Sequence, residues 1–367
     1  MKTFGLSRRS FAQRGQLMNI YNLIDDICQG YTPTKEEVEA LLCTYEPSYN
    51  SYLFSAAQAI TKKYHDNIIH IRGIIEFSNY CRCSCAYCGL NAANKKLKRY
   101  RMEPKEIVET AKEAYDAGYR TLVLQSGEDL WYTREKISEI IKGIKSIGDI
   151  AITLSVGERD YEDYKQWRKD GADRFLLKHE TINENLYNKL HTHSNLENRI
   201  RCLNNLKELG YQVGDGFMVG LPGQTLGDIA EDILFLNRLD VDMAGIGPFI
   251  PHPHTELKSA EAGSNEMTIK AVAITRLILK KVHLPATTAL WTLNTEDGKK
   301  AFDSGANVVM LKVEPYKYRR LYEIYPKNLG NENSIKQERL RMEELILSLG
   351  KQVAQDRGDS IKFLEGQ

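Results

Sequence analysis

Four of the seven cysteines fall within one stretch, Cys81-Arg-Cys83-Ser-Cys85-Ala-Tyr-Cys88. Cys81, Cys85 and Cys88 have C-x3-C-x2-C spacing, which closes three thiolates into one short loop. Such a loop can hold three irons of a [4Fe-4S] cluster and leave the fourth open to a small chelating molecule, whereas an electron-transfer cluster wants four cysteines. With Cys83 included, a four-thiolate zinc site is the alternative, but that packing crowds a tetrahedral ion that normally draws ligand pairs from two segments. Cys83 reads as a bystander thiol. Cys28, Cys43 and Cys202 are scattered, and the odd count speaks against a disulfide framework and for a reduced compartment.

The cysteine loop directly follows a short apolar, β-branched run, and seven more such runs follow it. They cover 70–77, 120–125, 150–155, 174–178, 213–219, 243–247, 285–290 and 307–311. Helical stretches separate them at 104–117, 134–146, 161–170, 196–209, 226–237, 268–280 and 295–304. Eight strands each followed by a helix predict an α/β fold, a (βα)8 TIM barrel, whose chemistry sits at the C-terminal strand ends. A doubly wound sheet is the rival. Residues 1–66 read as an N-terminal helical cap, 67–330 as the barrel, and 331–367 as a C-terminal helical tail packed on its outside.

Fifty Lys plus Arg balance forty-nine Asp plus Glu, which argues against broad binding to nucleic acid. No run approaches the about 18 apolar residues of a membrane span. Ser7-Arg-Arg-Ser-Phe11 resembles a twin-arginine export signal, but an amphipathic pattern of Leu17, Ile20, Leu23 and Ile24 follows where an uncharged apolar stretch is needed. The expectation is a cytoplasmic protein.

The cysteine spacing, with aromatic Tyr87 before the last cysteine, resembles that of the radical S-adenosylmethionine (SAM) enzymes. The resemblance implies a [4Fe-4S] cluster whose open iron chelates the amino and carboxylate groups of SAM, and whose electron releases a 5'-deoxyadenosyl radical. Supporting motifs follow. Gln125-Ser126-Gly127-Glu128-Asp129 is similar to the family's turn that receives the methionine ammonium. Gly216-Phe-Met218-Val219-Gly220-Leu-Pro-Gly223-Gln-Thr225 looks like its glycine-spaced strand against adenine. Glu180, in Leu177-Lys178-His179-Glu180-Thr181, is implied to contact the ribose or ammonium, and Arg199 to pair with the methionine carboxylate.

The resemblance sharpens to one branch, the HydE maturases of [FeFe]-hydrogenase, with the methylornithine synthases (PylB) and biotin synthases further off. It rests on the strings 70–79, 97–102, 123–129, 245–253 and 285–289. It implies a small organometallic substrate, an iron complex with carbonyl, cyanide and cysteine, together with a reductant such as flavodoxin or ferredoxin and other hydrogenase maturases as partners. Gln125, Thr153, Lys178, Met243, Thr287, Thr288 and Tyr322 match the family's pocket positions, although ordinary strand propensity also explains the two threonines. Neither His252-Pro-His254 nor His191-Thr-His193 reads as a metal site. Three departures bear on the substrate: Lys178 where arginine is expected, Trp291 for a glycine at the barrel mouth, and Leu311-Lys-Val-Glu-Pro315 for a Pro-Asn-rich turn. No cysteine follows Cys202, so a second, C-terminal cluster is not expected. The competing reading is a HydE-like paralogue acting on another small molecule, including a PylB-like mutase or a thioether-forming enzyme.

Overall fold

In the computed structural model, which describes residues 19–326 and 333–366, the β-branched runs become parallel strands at the centre of the chain. They are β1 (Ile68–Ser78), β2 (Thr121–Ser126), β3 (Ala151–Ser155), β4 (Arg174–Leu176), β5 (Gln212–Val219), β6 (Met243–Pro248) and β7 (Val308–Lys312). Their order is β6-β5-β4-β3-β2-β1-β7, so every neighbour from β1 to β6 is also the next in sequence. Between the strands run helices whose apolar faces cover the sheet, for example Pro104–Asp116, which buries Ile107, Ala111 and Ala114. The strands read as continuous apolar runs because both faces are covered.

The run expected as a strand over 285–290 is shorter and shifted. Segment 283–286 forms only isolated bridges, Met243 with His283 and Pro285 with Val308. Even so, it links β6 to β7, since the Ala244 amide donates to the His283 carbonyl at 2.9 Å and the Ala286 amide to the Val308 carbonyl at 2.9 Å. This segment closes the ring into the TIM-barrel-like fold. Pro285 has no amide to give, and from Thr288 to Leu293 the chain is helical, starting directly after an extended Thr287. Adjacent β-branched threonines gave that stretch its strand-like appearance.

Three helices precede the barrel: α1 (Ile20–Gln29), α2 (Lys35–Cys43) and α3 (Pro47–His65). The second of them starts with a capping box, in which the Glu37 amide donates to Thr34 Oγ1 at 3.3 Å and the Thr34 amide to Glu37 Oε2 at 2.8 Å. The export-like residues Ser7–Phe11, and Leu17, lie outside the described residues. No helix among the described residues is long and apolar enough to cross a membrane.

The tail does more than pack outside. After a helix at Ile335–Ser348, β8 (Gln352–Val353) pairs with Ile68 and Ile69, and the chain then crosses the N-terminal end of the barrel. Arg174 Nη2 binds Asp359 Oδ1 at 2.7 Å, Gln212 Nε2 donates to the same oxygen at 2.8 Å, and Thr121 Oγ1 donates to the Arg357 carbonyl at 2.6 Å. Ser360 Oγ reaches Asp242 Oδ1 at 2.5 Å. The partners of these tail residues stand at the starts of β2, β4, β5 and β6, so the barrel is sealed at its base.

Candidate active site

β1 ends at Ser78, and residues 79–101 form a loop whose backbone is satisfied largely by side chains. Arg99 Nη1 donates to the carbonyls of Asn79 at 2.5 Å and Leu90 at 2.8 Å, and Nη2 to that of Asn91 at 2.7 Å. Asn79 Nδ2 in turn donates to the carbonyls of Lys98 at 2.9 Å and Leu321 at 2.8 Å. An irregular loop that meets its hydrogen bonds this way holds one shape. Cys81, Cys85 and Cys88 therefore stand at the C-terminal mouth of the barrel.

Cys81 Sγ accepts from the amides of Cys83 at 3.4 Å and Glu128 at 3.3 Å. A hydrogen bond from the Cys83 thiol pulls Cys81 down to about 7, against burial. Burial lifts the Cys85 and Cys88 thiols, Cys88 to about 12, and Cys85 is raised further by Cys88 and Cys81, Cys88 by Cys81. Such a crowded, buried sulfur set is poised for a cationic centre, and that chemistry fits an iron-sulfur cluster. Among the described residues no group of three or more His, Cys, Asp or Glu side chains is arranged around a single metal ion.

The turn after β2 locks onto this loop. A Cβ on Gly127 would stand 2.2 Å from the Tyr80 carbonyl oxygen and 2.7 Å from the Cys81 Cβ, so only glycine permits the approach. Asp129 takes Arg101 through two bonds of 2.7 and 2.9 Å and accepts from Ser78 Oγ at 2.7 Å. Ser126 Oγ donates to the Gly127 carbonyl at 2.7 Å. The Glu128 carboxylate is held by Arg82 Nε at 3.0 Å and the Glu158 amide at 3.0 Å, so it points to the outer side of the loop.

Beside the cysteines opens a cavity of about 210 Å³. Of the residues matched to SAM, Tyr87, Glu180 and Met218 line it. Val219 is in the core, and its carbonyl accepts from the Phe249 amide at 2.9 Å. Arg199 lies behind the wall, donating from Nε to Glu158 Oε1 at 2.6 Å and from Nη1 to the Lys178 carbonyl at 2.5 Å. Burial alone would raise the Glu158 carboxyl, but Arg199 holds it below its ordinary value. Of the pocket residues, Gln125, Lys178, Met243, Thr287, Thr288 and Tyr322 all line the cavity. Thr153 does not: it is 1% exposed in a smaller void deeper in the barrel, beside Arg72, Arg174 and His283.

The cavity also holds charges that sequence reasoning did not place. Lys312 on β7 is paired with Glu76 on β1, beside the expected Lys178, whose Nζ meets Glu180 Oε2 at 2.9 Å. Next to the Glu76 backbone, burial and then the Glu76 carboxylate push the Glu314 carboxyl up to about 7. Lys312 belongs to the departing string 311–315, so that departure does reach the pocket. Trp291 does not. Its indole covers Gly298, where a Cβ would come within 2.2 Å of Cδ2, and its ring lies 6.1 Å from that of Phe302. The expected indole at the barrel mouth is instead packed onto the helix Thr295–Asp303.

A parallel barrel with three cysteines in the first strand-to-helix loop and a sealed base defines a class. A family model described as the radical SAM superfamily matches residues 75–236, and the chain belongs to that superfamily and is a radical SAM enzyme. Within it, the chain is 50% identical over 293 residues to the [FeFe] hydrogenase maturase subunit HydE of Thermotoga maritima, covering 80% of this chain and 84% of that one. It is 30% identical over 288 residues to 3-methylornithine synthase of Methanosarcina acetivorans, covering 78% and 81%. The crystal structure of methylornithine synthase (PylB) superposes with a TM-score of 0.81 at 26% identity, over 90% of this chain and 97% of that one. The superfamily uses a [4Fe-4S] cluster and SAM, and the sulfur loop described above fits both.

Proposed function

We propose that this chain is a HydE-type maturase that acts on a small iron complex with carbonyl, cyanide and cysteine during assembly of the [FeFe]-hydrogenase diiron centre. Half-identity with HydE over most of both chains carries the reading. The cavity supports it, since hydroxyl, amide and ammonium donors from five strands and loops face the cysteine loop in a chamber closed below. Cys81, Cys85 and Cys88 would hold the cluster, with Cys83 beside them as a bystander. Tyr87, Glu180 and Met218 would contact SAM, with Ser126 and Gly127 in the turn against the cysteine loop, while Glu128, Arg199 and Val219 would hold that wall in shape from behind. When bound, the pair supplies a 5'-deoxyadenosyl radical. The residues of this chain then orient the guest: Thr287 and Thr288 offer hydroxyls, Gln125 an amide, Lys178 an ammonium, and Tyr322 and Met243 shape the wall. Residues 67–330 make up the catalytic unit, flanked by 1–66 and 331–367. Its setting is the cytoplasm, its reductant a flavodoxin or ferredoxin, and its cluster single, since no cysteine follows Cys202.

Lys312 favours a second reading, a HydE-like enzyme with another small substrate, because it adds an ion pair to a pocket wall. Two experiments decide. Anaerobic reconstitution should load about four irons, and the reduced protein should convert SAM to 5'-deoxyadenosine. Alanine at Cys81, Cys85 or Cys88 should abolish this while Cys83→Ala retains it, and full turnover without Cys88 would sink the ligand assignment. Deleting the gene should then abolish [FeFe]-hydrogenase activity, and restoring it should recover it. Unchanged hydrogenase activity selects the second reading.

A further inference from the structure

We propose that His179 is a positioning residue for the SAM site: clamped between Asp215 and Asp232, it holds Glu180 in the backbone conformation that turns the Glu180 carboxylate into the cavity. The inference rests on the reading of Glu180 as a SAM contact. Four non-glycine residues among those described have positive φ: Asp66, Asn67, Glu180 and Asp240. Three are Asp or Asn, which tolerate the left-handed region, and Asp66 and Asp240 end helices. Glu180, at φ 63°, has neither excuse. Its conformation is imposed by its surroundings, as strained residues at functional sites commonly are.

The imposing structure lies directly behind it. His179 Nδ1 is 2.8 Å from Asp215 Oδ2, and the His179 amide donates to Asp215 Oδ1 at 2.7 Å, so β5 fixes both ring and backbone. On the other side, Nε2 meets Asp232 Oδ1 at 3.4 Å, an ionic contact that falls short of a hydrogen bond. The same Asp232 oxygen accepts from the Ile182 amide at 2.6 Å. Residues 179 and 182 are thus pinned on either side of Glu180, whose own amide and carbonyl pair with Gly216 and Met218 at 3.0 Å each. All three clamping side chains are wholly buried, with the rings of Phe217 and Phe235 against the imidazole. A charged cluster in a dry site is an expensive way merely to fill space. Here it fixes the one residue whose carboxylate faces both Lys178 and the cavity.

The test is a double-mutant cycle on the reconstituted full chain, reading SAM affinity by calorimetry alongside thermal stability and 5'-deoxyadenosine formation. His179→Asn should weaken SAM binding about tenfold and raise the KM for SAM more than it lowers kcat. In a Glu180→Ala background the same change should alter SAM affinity less than about twofold. Equal loss with and without Glu180, or wild-type affinity in a folded His179→Asn protein, overturns the proposal. Should His179→Asn fail to fold, Asp232→Asn carries the same cycle, because its amide oxygen still accepts from Ile182. A wild-type chain that binds no SAM overturns the functional reading as well. A wild type that binds SAM with no coupling between the two sites overturns this inference alone.

Discussion

At the scale of single residues, the site depends on pairs whose members are far apart in sequence. Glu158 is the clearest case: it accepts from Arg199, from Ser194 Oγ at 2.9 Å and from Asn198 Nδ2 at 2.6 Å. Glu158→Ala would leave the buried Arg199 guanidinium without its carboxylate, so we expect about 3 kcal/mol lower stability by urea unfolding and weaker SAM binding. Lys312→Met should leave SAM binding intact and change product formation from the true substrate, which a turnover assay separates from uncoupled SAM cleavage. His179 predicts a pH dependence. Burial works against its charge, but Asp215 and then Asp232 outweigh it and raise the imidazole from 6.5 to about 9, with Asp228 the next carboxylate behind Asp232. A raised histidine stabilises the fold fully below its unfolded value and loses that contribution as pH climbs through the folded one. The stability difference between wild type and His179→Asn should therefore shrink between pH 6.5 and 9 in urea titrations at stepped pH. The three cysteines were legible because their chemistry is local, eight residues from first to last. Glu158, Glu76 and His179 were not, since a lone carboxylate or imidazole has no pattern until a partner from another strand meets it.

At the scale of elements, motifs known only as strings acquire causes. In Leu221-Pro-Gly-Gln224-Thr225, Gln224 Oε1 accepts from the amides of Gly220 at 2.7 Å and Leu221 at 3.2 Å, while its Nε2 donates to the Met218 carbonyl at 2.9 Å. Thr225 then caps the next helix with Asp228. Gln224→Ala should cost about 1–3 kcal/mol for the buried groups left unmade, seen as a lower thermal midpoint with Met218 displaced from the cavity wall. Gly127→Ala should be harsher for the site than for the fold. The added methyl meets backbone and the Cys81 side chain, so reconstituted iron content should fall while the far-ultraviolet circular dichroism stays unchanged. Helix limits were read from sequence to within about three residues, because caps and apolar periodicity are local signals. Helix ends such as Gly171, at φ 115° with its amide donating to Arg168 at 3.2 Å, show why. The 285–290 run misled because β-branched threonines are common both in strands and in the extended residue that starts a helix. Only the missing amide of Pro285 argued otherwise.

At the scale of the whole molecule, the repeating strand-helix order was enough to foresee a barrel with its chemistry at one end. The seal at the other end was invisible, because Gln352, Arg357 and Asp359 belong to no periodic pattern and find their partners only in three dimensions. Arg357 alone reaches Asp173 at 2.6 Å and Asp149 at 2.8 Å, while Arg72 Nη2 donates to the Gly358 carbonyl at 3.3 Å. A chain ending at Gly350 should melt well below the full chain in a thermal scan, since Arg72 and Arg174 would lose their covering and β1 its edge partner. Arg72 and Gly358 stand 286 positions apart, and the ribosome makes β1 early and the seal late. Until residues 352–360 dock, the barrel has two open mouths, so its floor is laid after its walls and the chamber becomes one-ended only as the last step of folding.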